Sequence, residues 1–419
     1  MTKNVNLLQR FSPASKVILI IGLLYALLIA SDWFFRFSWY SWQNTFYSRL
    51  TAQKVGSFKR QMGPSMGGNL SHMIAIPSAS KEFEKPRPAF TEWTDEYGYS
   101  NPPSTTNRYY RIVVVGDSFM MVPDVQSDQI SAQLERISSL PVYNHACKGR
   151  GPLLGLIKFF SERRFECSPP KVLVFGMVEA DISGPLYVGL MYHLEHLDDF
   201  TKKNLQSTGI RWPAFCSNEL KKSLPNTSLL AQVARNVWNQ IRYFVLGNLT
   251  PDVIPSQGKV TGAPLLFYRY NIESIKWGTN RGFSQLVDTL GYLDRYCRLR
   301  GISLIVMLIP DKESVYREYL PSYANPPDNP LPPSCLPALE AVFKDAGIAV
   351  INLLEPFRAQ AARGRLLYWP DDTHWNSEGI QVAAELLWKN IQPLLSAHPR
   401  SINEGEHVSF ATNNPAHSL

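Results

Sequence analysis

The sequence predicts an α/β protein built on a doubly wound parallel sheet, and three observations carry that prediction. Short β-rich apolar runs at 111–116, 141–144, 171–177, 302–309 and 348–353 each end on Gly, Pro, Asn or a turn. Longer amphipathic stretches at 126–139, 283–300, 336–346 and 377–395 lie between or after them, which is the pattern of strands joined by helical crossovers. Ser118, Gly149 and Asp181 each follow one of these runs at once, so three polar positions converge on the carboxyl edge of the sheet, where such sheets bind ligands.

The elements follow in order. The 419 residues carry a net charge of +7, a balance that invites a nucleic-acid reading. Its location removes that reading: residues 1–60 hold eight Lys and Arg against Asp32 alone, so the remainder of the chain is neutral. Val17 to Ala30 is an unbroken apolar run bounded by Lys16 and Asp32. With Ser31 to Phe35 added, it is long enough for one transmembrane helix at about 1.5 Å per residue against a bilayer core of ~30 Å. Trp33, Phe34, Phe35, Phe37, Trp39, Tyr40 and Trp42 supply an interfacial belt. Lys3, Arg10 and Lys16 put residues 1–16 in the cytoplasm and everything after residue 35 outside, a single-pass inner-membrane topology with a periplasmic domain. No small-x-small cleavage site followed by a polar start replaces this anchor with a signal peptide. Residues 36–107, rich in Gly, Pro and Ser, read as a stalk or wrapping segment. The sheet domain then spans 108–395. Residues 183–275 interrupt its alternation as an inserted cap around a helix-like 228–246, and 396–419 reads as a disordered tail.

Two strings carry the chemistry. Val113-Val114-Val115-Gly116-Asp117-Ser118-Phe119 ends a strand on a Gly-Asp-Ser turn, and Asp371-Asp372-Thr373-His374-Trp375-Asn376 sets a histidine behind two carboxylates. A serine hydroxyl needs a base to take its proton, and a histidine needs an acid to orient it. Alone, Ser118 would be a helix N-cap and His374 a structural histidine; together they make a nucleophile and base. Asp372 or Asp371 is the orienting acid, with Asp372 preferred, and the other carboxylate is left solvated or capping the helix that starts near Ser377.

On these residues the chain resembles the SGNH (GDSL-type) hydrolases, over roughly 108–395. Val142-Tyr143-Asn144 with Gly149 is similar to that family's second block. The resemblance implies that the backbone amides of Ser118 and Gly149 bind the oxyanion. Lys171 to Gly176 followed by Glu179-Ala180-Asp181-Ile182 is similar to the third block, except that Ala180 stands where the family carries an oxyanion-binding Asn. One such donor is worth about 3 kcal/mol in the transition state. Val306 to Lys312 leading to Tyr316, and Leu367-Tyr368-Trp369 before Asp372-Thr373-His374-Trp375, are similar to the SGNH-like domains of alginate O-acetylation proteins. In those proteins the Asp-His segment precedes the serine, whereas here it follows.

Other groups carry less. His193, Glu195, His196, Asp198 and Asp199 read as a solvated amphipathic face, and no metal or cofactor is expected. Cys147, Cys167, Cys216, Cys297 and Cys335 have no C-x-x-C spacing, and Cys297–Cys335 or Cys147–Cys167 would close loops in an exported domain.

The sequence therefore leads to a membrane-anchored serine acyl-ester hydrolase or O-acetyltransferase. Its substrate would be a polysaccharide or acylated carbohydrate. For transfer, a multi-spanning acyltransferase partner would deliver the acyl group. A non-catalytic polysaccharide-binding or assembly subunit of an envelope acetylation complex is the alternative, kept open by Ala180.

Overall fold

The structure, a computed structural model, describes residues 12–35, most of 58–183, Trp238, Ile241 and Val245, and 252–396 apart from 261 and 279–282. A helix runs over Pro13–Phe35. Its large apolar side chains from Val17 to Ile29 are all exposed. Among the described residues no helix is long and apolar enough to cross a membrane, so the structure gives no support to the expected spanning segment over 17–35.

Strands β1 (Phe58–Met62), β2 (Ser65–Met66), β3 (Pro86–Arg87) and β4 (Phe90–Thr94) form two small antiparallel pairs, β1 with β4 and β2 with β3. A short helix, Asn69–Met73, lies between β2 and β3. Leu70, Ile74 and Phe83 bury their side chains against Val253 and Leu266 of a later hairpin. This segment therefore lacks a core of its own and lies against the main body.

The main sheet contains β5 (Ile112–Val115), β6 (Val142–Asn144), β7 (Val172–Val178), β10 (Ser303–Ile309) and β11 (Val350–Asn352). The hairpin β8 (Val253–Val260) and β9 (Ala263–Tyr268) stands apart from it. The sheet order is β11-β10-β7-β5-β6, parallel throughout. Every residue of β5, β6 and β7 is buried, which is why these strands read as continuous apolar runs rather than as an alternating pattern. The order reverses between β5 and β7, so right-handed crossovers place helices on both faces. It also opens a crevice beyond the carboxyl ends of those two strands. Ser118 follows β5 and Glu179 to Asp181 follow β7, so both flank that switch point.

Two glycines keep the turn after β5 tight. A Cβ on Gly116 or Gly176 would lie 2.5 Å from the Met120 side chain, which tucks beneath the turn. The helix Ser377–Ser396 packs on Ile130–Ser138, and its Gly379 abuts the strand-like segment before the histidine. A Cβ there would sit 2.3 Å from the Leu367 carbonyl oxygen. Gly379→Ala is expected to destabilise the fold by about 1–3 kcal/mol, read as a lowered Tm.

Only part of the expected inserted cap over 183–275 lies within the described residues. Residues 253–275 form the β8–β9 hairpin and most of the helix Arg269–Gly278, and Leu266 N–H donates to the Pro370 carbonyl at 2.7 Å. Trp238, Ile241 and Val245 are helical and exposed. The expectations for 184–237, including the His193 to Asp199 group, lie outside the described residues. Cys167, Cys297 and Cys335 are free thiols, so Cys297 and Cys335 are not joined. Cys147 and Cys216 lie outside the described residues.

Candidate active site

The Gly-Asp-Ser turn becomes a single 3-10 turn, Ser118–Met120, at the end of β5. Asp117, not Ser118, caps it, its Oδ1 accepting the Phe119 N–H at 2.8 Å. That leaves the Ser118 hydroxyl available, and Ser118 Oγ lies 2.9 Å from His374 Nε2. His374 Nδ1 lies 2.6 Å from Asp372 Oδ1, which also accepts the His374 backbone N–H at 3.0 Å. The structure thus brings Ser118, His374 and Asp372 into one hydrogen-bonded chain, with the imidazole partly open to solvent. Burial by itself would raise the Asp372 carboxyl. The hydrogen bonds and charge of His374, with the amides of His374 and Asn69, hold it well below the usual carboxylate range.

Asp371 lies elsewhere. It is fully buried, its Oδ2 accepting the Gly68 and Lys85 amides at 2.9 and 2.8 Å and its Oδ1 pairing with Arg87 at 2.8 Å. The expectation that the second carboxylate is solvated or caps the last helix is therefore overturned. Asn376 makes that cap instead, accepting the Gly379 N–H at 3.0 Å. The chain turns through Pro370 and Asp371 and bends over 372–374, and the two adjacent carboxylates part there: Asp372 Oδ1 meets the imidazole, while Asp371 meets Gly68, Lys85 and Arg87.

The histidine loop is held from several directions. Tyr368 and Trp375 form an antiparallel bridge across it, and Trp375 Nε1 donates to the Phe119 carbonyl at 2.8 Å, tying it to the serine turn. The Phe119 ring lies 4.7 Å from the imidazole centroid. Lys312 reaches under the loop, its ammonium donating to the carbonyls of Trp369, Pro370 and Asp372 at 3.2, 3.3 and 2.6 Å. The Tyr316 hydroxyl donates to the Arg365 carbonyl and accepts the Leu367 N–H, at 2.9 and 2.8 Å. Pro310 accepts the Tyr368 hydroxyl at 2.5 Å. The Pro-x-Lys-x-x-x-Tyr stretch is thus the scaffold of the histidine loop.

Burial lowers Lys312 to about 8, against the raising pull of Glu313, Asp372 and Asp371. The unfolded chain holds this proton up to its ordinary value of 10.5, so between about 8 and 10.5 the unfolded state binds more protons than the native one. Stability is then expected to rise with pH across that window by up to about 3 kcal/mol. The rise should be absent from Lys312→Met, measured as the wild-type minus variant unfolding free energy against pH.

Behind Ser118 lies a buried acidic group. Burial pushes Asp117 well above the usual carboxylate range, and the nearby Asp181 charge adds to this; Asp181 is raised by burial as well. Asp311 is raised in the same way, first by burial and then by Glu179, Glu313 and Asp181, and its amide donates to Glu179 at 3.0 Å. Burial, joined at Asp117 and Asp311 by repulsion from neighbouring carboxylates, thus makes each of these carboxyls harder to ionise than in water. Among the described residues no group of His, Cys, Asp and Glu is arranged to hold a metal ion.

Gly149 lies outside the described residues, so the structure places no second oxyanion donor. Ala180 is buried in the short helix Glu179–Ser183. Sequence reading gave Gly68, Asn69 and Arg87 no part in the site, placing them in a stalk or wrapping segment. The available signal was Gly67-Gly68-Asn69, a glycine pair before a polar residue. Gly67 has φ +80°, and a Cβ on Gly68 would lie 2.5 Å from the Asp371 carbonyl oxygen.

No curated protein matches the chain. A solved structure of the O-acetyltransferase domain of Pseudomonas putida AlgJ is 19% identical, covers 32% of this chain and 44% of that one, and superposes with a TM-score of 0.20. A second solved chain is 12% identical, covers 67% of this chain and 95% of its own, with a TM-score of 0.28. Both scores are too low to establish a shared fold. The family comparison is more local: the match spans residues 278–415, which include Asp371, Asp372 and His374 but not Ser118. Over that stretch the chain resembles the SGNH hydrolase-like domain of the acetyltransferase AlgX.

Proposed function

We propose that the protein is a serine acyl-transfer enzyme that moves O-acetyl groups on an exported polysaccharide. The observation that carries this reading is the continuous chain Ser118 Oγ–His374 Nε2, His374 Nδ1–Asp372 Oδ1, at 2.9 and 2.6 Å on the switch-point edge of the sheet. Ser118 Oγ attacks the acyl carbonyl while His374 Nε2 takes its proton, and Asp372 holds the imidazole in the tautomer that can accept it. The proton then passes to the leaving alcohol oxygen, and the acyl group stays on Ser118 as an ester. An acceptor hydroxyl next gives its proton to His374 and takes the acyl group, and that proton returns to Ser118 Oγ. The Ser118 and Gly149 amides would receive the oxyanion. The resemblance to acetyltransferases favours a sugar hydroxyl over water as acceptor.

An anchor in the inner membrane, with the sheet domain on the periplasmic side, rests on the apolar run Val17 to Ala30 and on Lys3, Arg10 and Lys16 before it in the sequence. Such a chain needs a multi-spanning partner to bring the acyl group across. Ala180 favours a second reading, a polysaccharide-binding subunit that keeps the fold without turnover.

The detergent-solubilised full chain is tested with a chromogenic acetyl ester, with and without an oligosaccharide acceptor, and with Ser118→Ala as control. Ser118-dependent acetyl on the sugar establishes transfer, and Ser118-dependent acetate alone establishes hydrolysis. A folded wild type that does neither establishes the binding subunit.

A further inference from the structure

We propose that Asn69 is a positioning residue for the His374–Asp372 pair, acting through Thr373; the inference rests on the catalytic reading above and deepens it. Thr373 sits between the two functional residues, so whatever fixes Thr373 fixes the register of both. Asn69 grips it at two points: Nδ2 donates to Thr373 Oγ1 at 2.7 Å, and Oδ1 accepts the Thr373 N–H at 2.9 Å. A third bond runs from the Asn69 backbone N–H to Asp372 Oδ2 at 2.9 Å, on the oxygen that does not face the imidazole. One residue thus holds the far oxygen of the acid and the peptide that joins acid to base.

The residue type follows from the geometry. Only a side-chain amide offers a donor and an acceptor in one plane at this reach. Aspartate would keep the acceptor and lose the donor, and alanine would lose both. The approach also explains the preceding glycine, since a Cβ on Gly68 would fall 2.6 Å from Asp372 Cβ and 2.7 Å from Arg87 Nη2. Neighbouring backbone bonds hold the same register: the Leu70 and Ser71 amides donate to the Asp371 carbonyl at 3.1 and 3.2 Å, and the Ser71 hydroxyl closes the turn onto the Gly68 carbonyl at 2.9 Å. Residue 69 lies 304 positions from Thr373 and outside the stretch that matches the acetyltransferase family, so the part played by Asn69 is a reading of this chain's own geometry.

Asn69 is exposed, and an exposed hydrogen bond adds little to global stability. Its loss is expected to appear in the geometry of the site rather than in the melting curve. The test uses full-length wild type, Asn69→Ala, Thr373→Ala and the double variant, with two readouts. The first is the low-field proton NMR signal of the short His374–Asp372 hydrogen bond, assigned by its absence in His374→Gln, which needs no turnover. The second is kcat and KM for an acetyl ester. Asn69→Ala is expected to broaden or shift the low-field signal, lower kcat about tenfold with KM unchanged, and leave Tm within a few degrees. Thr373→Ala should do the same, and the double variant should be no worse than either single one. An unchanged low-field signal in Asn69→Ala overturns the proposal, as does a kcat loss that adds independently to that of Thr373→Ala. If the wild type has no Ser118-dependent turnover, the catalytic reading fails by itself, and the NMR signal still decides whether Asn69 positions the pair.

Discussion

Acetyl-ester turnover by Ser118→Ala and by His374→Ala is expected to fall at least about 10⁴-fold below wild type, with Ser118→Ala melting within a few degrees of it and His374→Ala somewhat lower. The size follows from the division of labour. Ser118 is half-buried at the end of β5 and bonds His374 at 2.9 Å, so Ser118→Ala loses one hydrogen bond of about 1 kcal/mol in stability, whereas His374→Ala loses that bond and the 2.6 Å bond to Asp372. What they lose in rate is the covalent route itself, since among the described residues Ser118 carries the hydroxyl bonded to that nitrogen. The double variant should fall no further than the worse single one, because nucleophile and base act as a unit. Turnover that survives either change would place the chemistry elsewhere on the molecule. Steady-state kinetics beside thermal melts decides the matter.

The parts legible in the sequence share a physical reason, and so do the parts that were not. β5, β7 and β10 are buried on both faces, so they stand out as runs of Val, Ile and Leu that no helix pattern produces. Ser118 and His374 are legible because their chemistry demands particular residue types next to particular turns. The N-terminal segment was not legible as part of the site. Gly68 and Lys85 act through backbone amides, which leave no residue-type signature, and a lone Asn such as Asn69 is common in loops; their partners lie about 300 positions away. Asp117 caps the serine turn, a local bond that any Asp before a turn can make. Ala180 stays without a compensating side chain among the described residues.

Asp371 and Asp372 give the sharpest contrast, because one substitution made at adjacent positions should separate rate from stability. Asp372→Asn removes the carboxylate that holds His374 Nδ1–H at 2.6 Å. The amide can present its NH2 group to Nδ1 and stabilise the tautomer with the proton on Nε2, which cannot take the Ser118 proton. A loss of about 10⁴-fold in kcat is expected, with a modest loss of stability. Asp371→Asn leaves Ser118, His374 and Asp372 untouched but strips the charge partner from Arg87, whose side chain is 3% exposed. Asp372 Oδ2 remains 3.9 Å from Arg87, but taking the 2.8 Å carboxylate from a buried charge costs up to about 3–5 kcal/mol, so this variant should melt well below wild type. Measured well below that temperature, it should keep activity within about tenfold, since Asp372 is still held by the Asn69 and His374 amides. The pH dependence separates the two again. The Asp372 carboxylate is held below its ordinary value of 3.8, so the stability it supplies is present above that pH and fades as the medium is acidified further. That acid-range contribution should vanish in Asp372→Asn. If instead Asp371→Asn were stable and inactive while Asp372→Asn turned over normally, the two carboxylates would have exchanged roles, and the hydrogen-bonded chain seen here would not be the one that works.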